Sequence, residues 1–184
     1  MIKRITVGVI VFCIFLAVVG CSSPAAAPDT GAHPTPDTTP PGGPSPVVPS
    51  QAPAGPIKAT WIDALSEGDT VSVELAEVEE NWNNSFKLET ADETLNFMAY
   101  ILDDELIVRA NVCPPCKSIG FALDDDILVC DRCATTFEAV TGEGIQGACV
   151  DFPKASVEYE ITGANIVMKL DNLVAAYEDT IKPG

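Results

Sequence analysis

Histidine is almost missing from this chain of 184 residues: there is one, His33. It stands among Pro, Ala, Thr, Ser and Gly with no apolar periodicity, a composition that cannot bury enough surface to fold. The part able to fold therefore has no histidine. That excludes Ser-His-Asp and Cys-His catalysis, mixed Cys/His zinc sites and the two-His side of a Rieske cluster. Basic residues are scarce as well, 10 Lys and Arg against 27 Asp and Glu, a formal net charge of −17. Nucleic acid is excluded as a main partner, because phosphate binding needs a basic face. Also absent are βαβ alternation, an internal repeat of useful period and EF-hand spacing. The one long apolar run, Ile5 to Val19, has about 15 residues, too few to cross a hydrocarbon core comfortably.

That run still has a reading. Lys3 and Arg4 precede it, and Val18-Val19-Gly20-Cys21 follows. A charged start, a short apolar stretch and small residues before a cut site describe a secretory signal over residues 1–20. Cys21 directly after Gly20 resembles the lipobox of bacterial lipoproteins. The resemblance implies cleavage before Cys21 and acylation of that cysteine, which would anchor the protein to membrane lipid without spanning the membrane. The expected compartment is extracytoplasmic, on a bacterial cell membrane or outer membrane, where paired thiols tend to oxidise. Cys13 lies inside the apolar run and reads as filler that leaves with the signal.

Residues 21–56 read as a tether: 22–56 hold 11 of the 15 prolines. Pro-rich chain is extended, so this spacer reaches ~100 Å at about 3 Å per residue. Residues 57–184 form the expected domain. It holds 8 Lys and Arg and 25 Asp and Glu, so it carries the whole −17.

Its pattern is mostly strand. Val71 to Val78 alternates apolar and polar, and Asn81 to Asn84 reads as a turn before Phe86 and Leu88 resume the alternation. Three hairpins are predicted. Leu95 to Leu102 and Leu106 to Val112 flank Asp103-Asp104-Glu105. Leu123 and Ile127 to Val129 flank Asp124 to Asp126. Val157 to Ile161 and Ile166 to Leu170 flank Gly163 to Asn165. Asp171 is placed to cap a short C-terminal helix through Tyr177, with Leu173, Val174 and Tyr177 on one face. The expected fold is mainly β (α+β), a small hairpin-rich domain with that one helix.

Cysteine is where the sequence is most specific. Cys113, Cys116, Cys130 and Cys133 read Cys-x2-Cys, 13 residues, Cys-x2-Cys. Such turns are the knuckles of zinc ribbons and rubredoxin-like iron sites. Each aims two thiolates at one point, and four thiolates suit a tetrahedral zinc or iron ion. The intervening hairpin would bring the knuckles together. In an oxidising compartment the same four could form two disulfides, or one Cys-x2-Cys could be a redox pair. A thioredoxin-type pair would sit by a βαβ pattern, which is missing. With Cys149 the count in the domain is five, so disulfides alone would leave one thiol over.

The runs Cys113-Pro-Pro-Cys116-Lys-Ser-Ile-Gly-Phe121, Ile127-Leu-Val-Cys130-Asp-Arg-Cys133-Ala-Thr-Thr-Phe137 and Gly144-Ile-Gln-Gly147-Ala-Cys149 resemble the FtrD-like membrane iron–sulfur protein family. Asn96 to Tyr100 with Leu106 to Ala110 resembles the family's preceding hairpin, and the likeness covers roughly residues 57–170. It implies an iron–sulfur cluster or mononuclear iron, with zinc as the alternative, in an extracytoplasmic protein often found beside iron-uptake permeases. Carried over one at a time, Cys113, Cys116, Cys130, Cys133 and Cys149 match the family's cysteines. The last departs from the usual Gly-Gly-Cys-Asn-Pro: here it is Gly147-Ala148-Cys149-Val150-Asp151, with Pro153 displaced. Cys149 is thus a ligand or a spare thiol.

Phe121, Ile127, Val129, Phe137 and Ile145 would surround the centre as packing. The acidic clusters read as solvated turns, and Trp61, Trp82 and Tyr100 as core. The first functional expectation is a membrane-tethered, non-enzymatic thiolate–metal protein. It would pass electrons to, or handle iron for, a membrane partner. The second is a structural zinc or disulfide β-domain that binds a partner protein. The third is a thiol–disulfide oxidoreductase.

Overall fold

The strand rich in consecutive apolar residues, Leu95-Asn-Phe-Met-Ala-Tyr-Ile-Leu102, organises the molecule. A strand sends successive side chains to opposite faces, and a run without polar alternation belongs where both faces are covered. In the computed structural model, which describes residues 53–184, this strand has a core on each side.

The elements in chain order are β1 (Thr60–Trp61), β2 (Leu65–Glu67), β3 (Thr70–Glu74), α1 (Leu75–Asn81), β4 (Asn83–Glu89), β5 (Thr94–Leu102), β6 (Glu105–Ala110), β7 (Phe121–Asp124), β8 (Ile127–Cys130), β9 (Thr136–Glu138), β10 (Gly144–Gln146), β11 (Tyr159–Thr162), β12 (Asn165–Lys169) and α2 (Leu170–Ile181). They form three four-stranded sheets, ordered β1-β4-β5-β6, β10-β9-β8-β7 and β11-β12-β3-β2. The expected signal segment, Cys21, His33 and the tether up to residue 52 lie outside the described residues.

Leu95, Phe97, Ala99 and Ile101 of β5 join the larger core, with Phe86 and Leu88 of β4, Val71 and Val73 of β3, Ile166 and Met168 of β12, and Leu173 and Ala176 of α2. Phe86 and Phe97 stack at 5.5 Å between ring centres. Met98 and Tyr100, one step out of phase, join the second core with Phe121, Leu123, Leu128, Phe137 and the cysteines. The sheet β10-β9-β8-β7 is therefore seated on the opposite face of the central strand. Two further contacts hold it there. Ile57 and Leu123 exchange backbone hydrogen bonds of 2.7 and 2.9 Å. The Asn83 side-chain amide donates to the Ile57 and Phe121 carbonyls at 2.8 and 3.0 Å.

All three expected hairpins form. In the first, Leu102 pairs with Glu105. The turn residues Asp103 and Asp104 both take positive φ, 51° and 63°, as a two-residue turn matching strand twist requires. In the second, Asp124 pairs with Ile127 and Asp125 takes φ 52°. In the third, Thr162 pairs with Asn165 across Gly163.

Four expectations change. The strand from Val71 does not run to Val78: β3 ends at Glu74, opposite Asn165, where its antiparallel partner β12 begins. Leu75 then donates to the Ala164 carbonyl at 2.9 Å and the chain turns into α1. Leu75, Val78 and Trp82 are spaced as one helix face, and Val78 is already out of step with the strand alternation of Val71, Val73 and Leu75. The turn expected at Asn81 to Asn84 shrinks to Trp82 (φ 63°), and Asn83 and Asn84 open β4 as buried residues. The terminal helix starts at Leu170 and runs to Ile181, with Lys169 rather than Asp171 at its N-cap. Leu173, Val174 and Tyr177 do pack against the larger core. Trp82 and Tyr100 are buried, whereas Trp61 is 52% exposed and lines an open groove with Ile62, Lys87 and Leu88.

Candidate metal centre

The two Cys-x2-Cys turns are built alike, residue for residue. In the first, Cys113 N–H donates to Ser118 O at 2.8 Å and Lys117 N–H to Cys113 O at 2.7 Å. In the second, Cys130 N–H donates to Thr135 O at 2.9 Å and Ala134 N–H to Cys130 O at 3.0 Å. Lys117 and Ala134, each directly after its second cysteine, take φ 58° and 54°. That left-handed residue reverses the chain and turns both sulfurs inward. The first knuckle follows β6, and the second closes the β7–β8 hairpin, whose Phe121 pairs with Cys130. The hairpin thus brings the turns together.

The Sγ atoms of Cys113, Cys116, Cys130 and Cys133 all lie within 4.8 Å of one another. Across the knuckles, Cys116 and Cys130 are 3.7 Å apart, well beyond a disulfide's about 2 Å, and the five cysteines among the described residues are free thiols. Cys113 and Cys130 are buried, while Cys116 and Cys133 are half-buried. The Sγ of Cys149 stands 3.7 Å from that of Cys133, at the rim of the four. A thiol donor set of this kind suits iron or zinc, and these four could bind an iron–sulfur cluster or a metal ion.

The family described as "Membrane iron-sulfur containing protein FtrD-like" matches residues 67–178. The chain belongs to that family. No curated protein matches this FtrD-like chain. Among solved structures, one similar chain belongs to the "Complex of reduced oxygenase and oxidized ferredoxin in carbazole 1,9a- dioxygenase". It is 14% identical at a TM-score of 0.47, over 56% of this chain and 95% of that one. Another is the Sphingomonas yanoikuyae B1 ferredoxin, 17% identical at a TM-score of 0.39, over 46% and 83%. The family is described as a membrane one. Among the described residues, no helix is long and apolar enough to cross a membrane.

Around the sulfurs, the FtrD-like domain supplies groups that the spacing of cysteines does not reveal. Thr135, fully buried, has its hydroxyl 3.2 Å from Cys133 Sγ and accepts from Cys149 N–H at 3.3 Å. Gly147 (φ 125°) exists for this contact, since a Cβ there would meet Thr135 Oγ1 at 2.5 Å. Phe121 and Phe137 meet edge to face at 5.9 Å and form the dry wall of the site. Ile127 and Val129 are only half-buried, and Ile145, expected in the shell, is 54% exposed on β10. Lys154, 0% exposed, holds its ammonium 4.3 Å from the Phe137 ring centre and 5.5 Å from that of Phe121. Its sequence neighbourhood gave no sign of this.

Below the site, Arg109 secures the return of the chain. Its guanidinium donates to the carbonyls of Lys154 (2.8 Å), Ala139 (3.4 Å) and Val140, and to the Tyr100 hydroxyl at 2.9 Å. Tyr100 donates in turn to Ala139 O at 2.6 Å. Burial pushes the Tyr100 hydroxyl up to about 12, which keeps it a neutral donor. Gly142 (φ 81°) lies against this junction: a Cβ there would be 2.2 Å from the Lys154 carbonyl.

The thiols are not equivalent. Burial pushes Cys113 up, helped by hydrogen bonds with Cys116 and Cys149. Burial also raises Cys130, against backbone N–H groups of Cys133 and Arg132 that favour its thiolate. Burial works upward on Cys133 too, but the hydroxyl and backbone N–H of Thr135 outweigh it and bring that thiol down to about 6. In the metal-free protein, Cys133 should therefore alkylate first at neutral pH, as the thiolate is the nucleophile. The lowered value favours the folded state fully above the ordinary 9.0, and that contribution is lost as pH falls through about 6. Mass-spectrometric mapping of iodoacetamide adducts from pH 5 to 8 checks the order.

Proposed function

We propose that this chain is a membrane-tethered, extracytoplasmic thiolate–iron protein that carries electrons, or handles iron, for a membrane partner. It has no substrate chemistry of its own. One observation carries the reading: two matched knuckles converge four thiols on a volume fit for one ion. Four sulfurs each about 2.3 Å from a single ion stand about 3.8 Å apart, and the measured Cys116–Cys130 separation is 3.7 Å. A cluster holds sulfurs of different irons further apart than sulfurs sharing one, so the 4.8 Å limit on all pairs favours a single ion. When bound there, iron supplies one-electron chemistry, Fe³⁺ to Fe²⁺ and back, with no atom transferred.

The chain's own residues fit such a role. Cys113 and Cys130 with Phe121 and Phe137 keep the inner side dry, which limits reorganisation of solvent. Cys116 and Cys133 face outward and give the short way to a docked partner. The partner would be a membrane protein of iron transport or redox function, with Cys21 acylated to hold the domain near it. Iron, zinc and acid-labile sulfide analysis with an absorption spectrum of anaerobically purified protein tests this. About one iron per chain, thiolate-to-iron absorption and a reversible redox wave are expected. Stoichiometric sulfide would replace the single ion by a cluster. A colourless protein with one zinc and no wave would overturn the electron-transfer reading in favour of a structural centre.

A further inference from the structure

Lys154 is a buried cation without a carboxylate. The ion pairs among the described residues are Lys87–Glu89 and Lys182–Glu178, both exposed. Its ammonium donates to Phe152 O at 2.6 Å and lies over two aromatic rings. Those rings pack in one core with Cys113, Cys130 and Cys149. A buried charge left unpaired is strongly unfavourable, and removing one member of a buried pair exposes that penalty. In a chain of net charge −17, carboxylates are plentiful, yet none is placed here. Burial dominates and brings Lys154 down to about 8, and the negative groups that favour its charged form are the sulfurs of Cys113, Cys130, Cys149 and Cys116.

We infer that Lys154 is a positioning residue for the metal centre: a built-in countercharge. It favours binding of the ion by four thiolates and holds the reduction potential of the filled site above that of the bare thiolate set. The deduction rests on the reading of the four cysteines as a metal centre. Four thiolates around a divalent ion carry −2, and around a trivalent ion −1. A fixed positive charge beside them stabilises the more negative, reduced form more strongly. It also makes filling of the site and the buried ammonium mutually stabilising. Arg109, by fixing the Lys154 carbonyl, and Gly142, by letting the chain pass, hold that ammonium in place.

The test is a thermodynamic cycle on the full chain. Melting temperatures and Zn²⁺ affinity by chelator competition are measured for wild type, Lys154→Met and the charge-keeping Lys154→Arg, metal-free and zinc-loaded. Lys154→Met is expected to raise or leave the melting temperature of the metal-free protein. It should reduce the rise caused by zinc and weaken zinc affinity by on the order of tenfold or more, while Lys154→Arg stays close to wild type. In the iron-loaded protein, Lys154→Met shifts the midpoint potential downward. Equal loss of stability with and without zinc, with affinity unchanged, would reduce Lys154 to a packing role and overturn the inference. If Lys154→Met does not fold, Lys154→Gln takes its place with the same outcomes. An iron-loaded protein without a redox wave removes the electron-carrier reading, and the zinc cycle still decides the role of Lys154.

Discussion

Cys130→Ser is expected to weaken the centre's hold on its ion by on the order of a hundredfold, read by chelator competition, while Cys149→Ser leaves that affinity unchanged. Four-thiolate zinc sites in small domains bind with about 10–16 kcal/mol, so each sulfur stands for ~3 kcal/mol, on the order of a hundredfold in affinity. The same loss is expected for Cys113, Cys116 and Cys133, whose Sγ atoms share the 4.8 Å cluster with Cys130. Cys149 stands outside that cluster, 3.7 Å from Cys133 Sγ and hydrogen-bonded with Cys113. Chelator competition across the five serine variants reads the ligand set directly. Equal weakening in Cys149→Ser and Cys130→Ser would place the fifth sulfur in the first coordination sphere.

Arg109→Met is expected to cost about 2–6 kcal/mol of stability, from about 1–3 kcal/mol for each of the two carbonyls, Lys154 and Val140, left without a partner. The side chain is 4% exposed and serves three carbonyls and one hydroxyl. Methionine fills much of the volume but leaves the Lys154 and Val140 carbonyls dry, while Ala139 O keeps the Tyr100 hydroxyl. Against a total stability of about 5–15 kcal/mol for a domain, that is a large part. Thermal and urea unfolding measure it. The metal affinity should fall as well, since the carbonyl of Lys154 is among the lost contacts.

The site was legible in the sequence where chemistry depends on short spacing. Two Cys-x2-Cys turns separated by a hairpin leave few ways to place four sulfurs, and the polar turns at 103–104, 124–126 and 163–165 announce their strands. The family resemblance rested on the same residues and holds. What escaped depends on contacts far apart in the chain. Arg109 reaches a carbonyl 45 residues away, and Lys154 meets Phe121 and Phe137 across a sheet. No local pattern marks a lysine for burial, since the residue type is almost always solvated. Helix α1 escaped because Val71, Val73 and Leu75 alternate as a strand up to its first residue, and only Val78 breaks step. Trp61 escaped because its short strand β1 lies at the edge of its sheet, pairing in parallel with β4 alone.

The division of side chains along β5 separates the stability of the fold from that of the centre. Leu95, Phe97, Ala99 and Ile101 complete the larger core with β3, β12 and α2, none of which contains a cysteine. That half can assemble before any ion arrives. The sulfur-bearing turns pack on the other face of β5, so losing the ion is expected to loosen that face while the larger core keeps its packing.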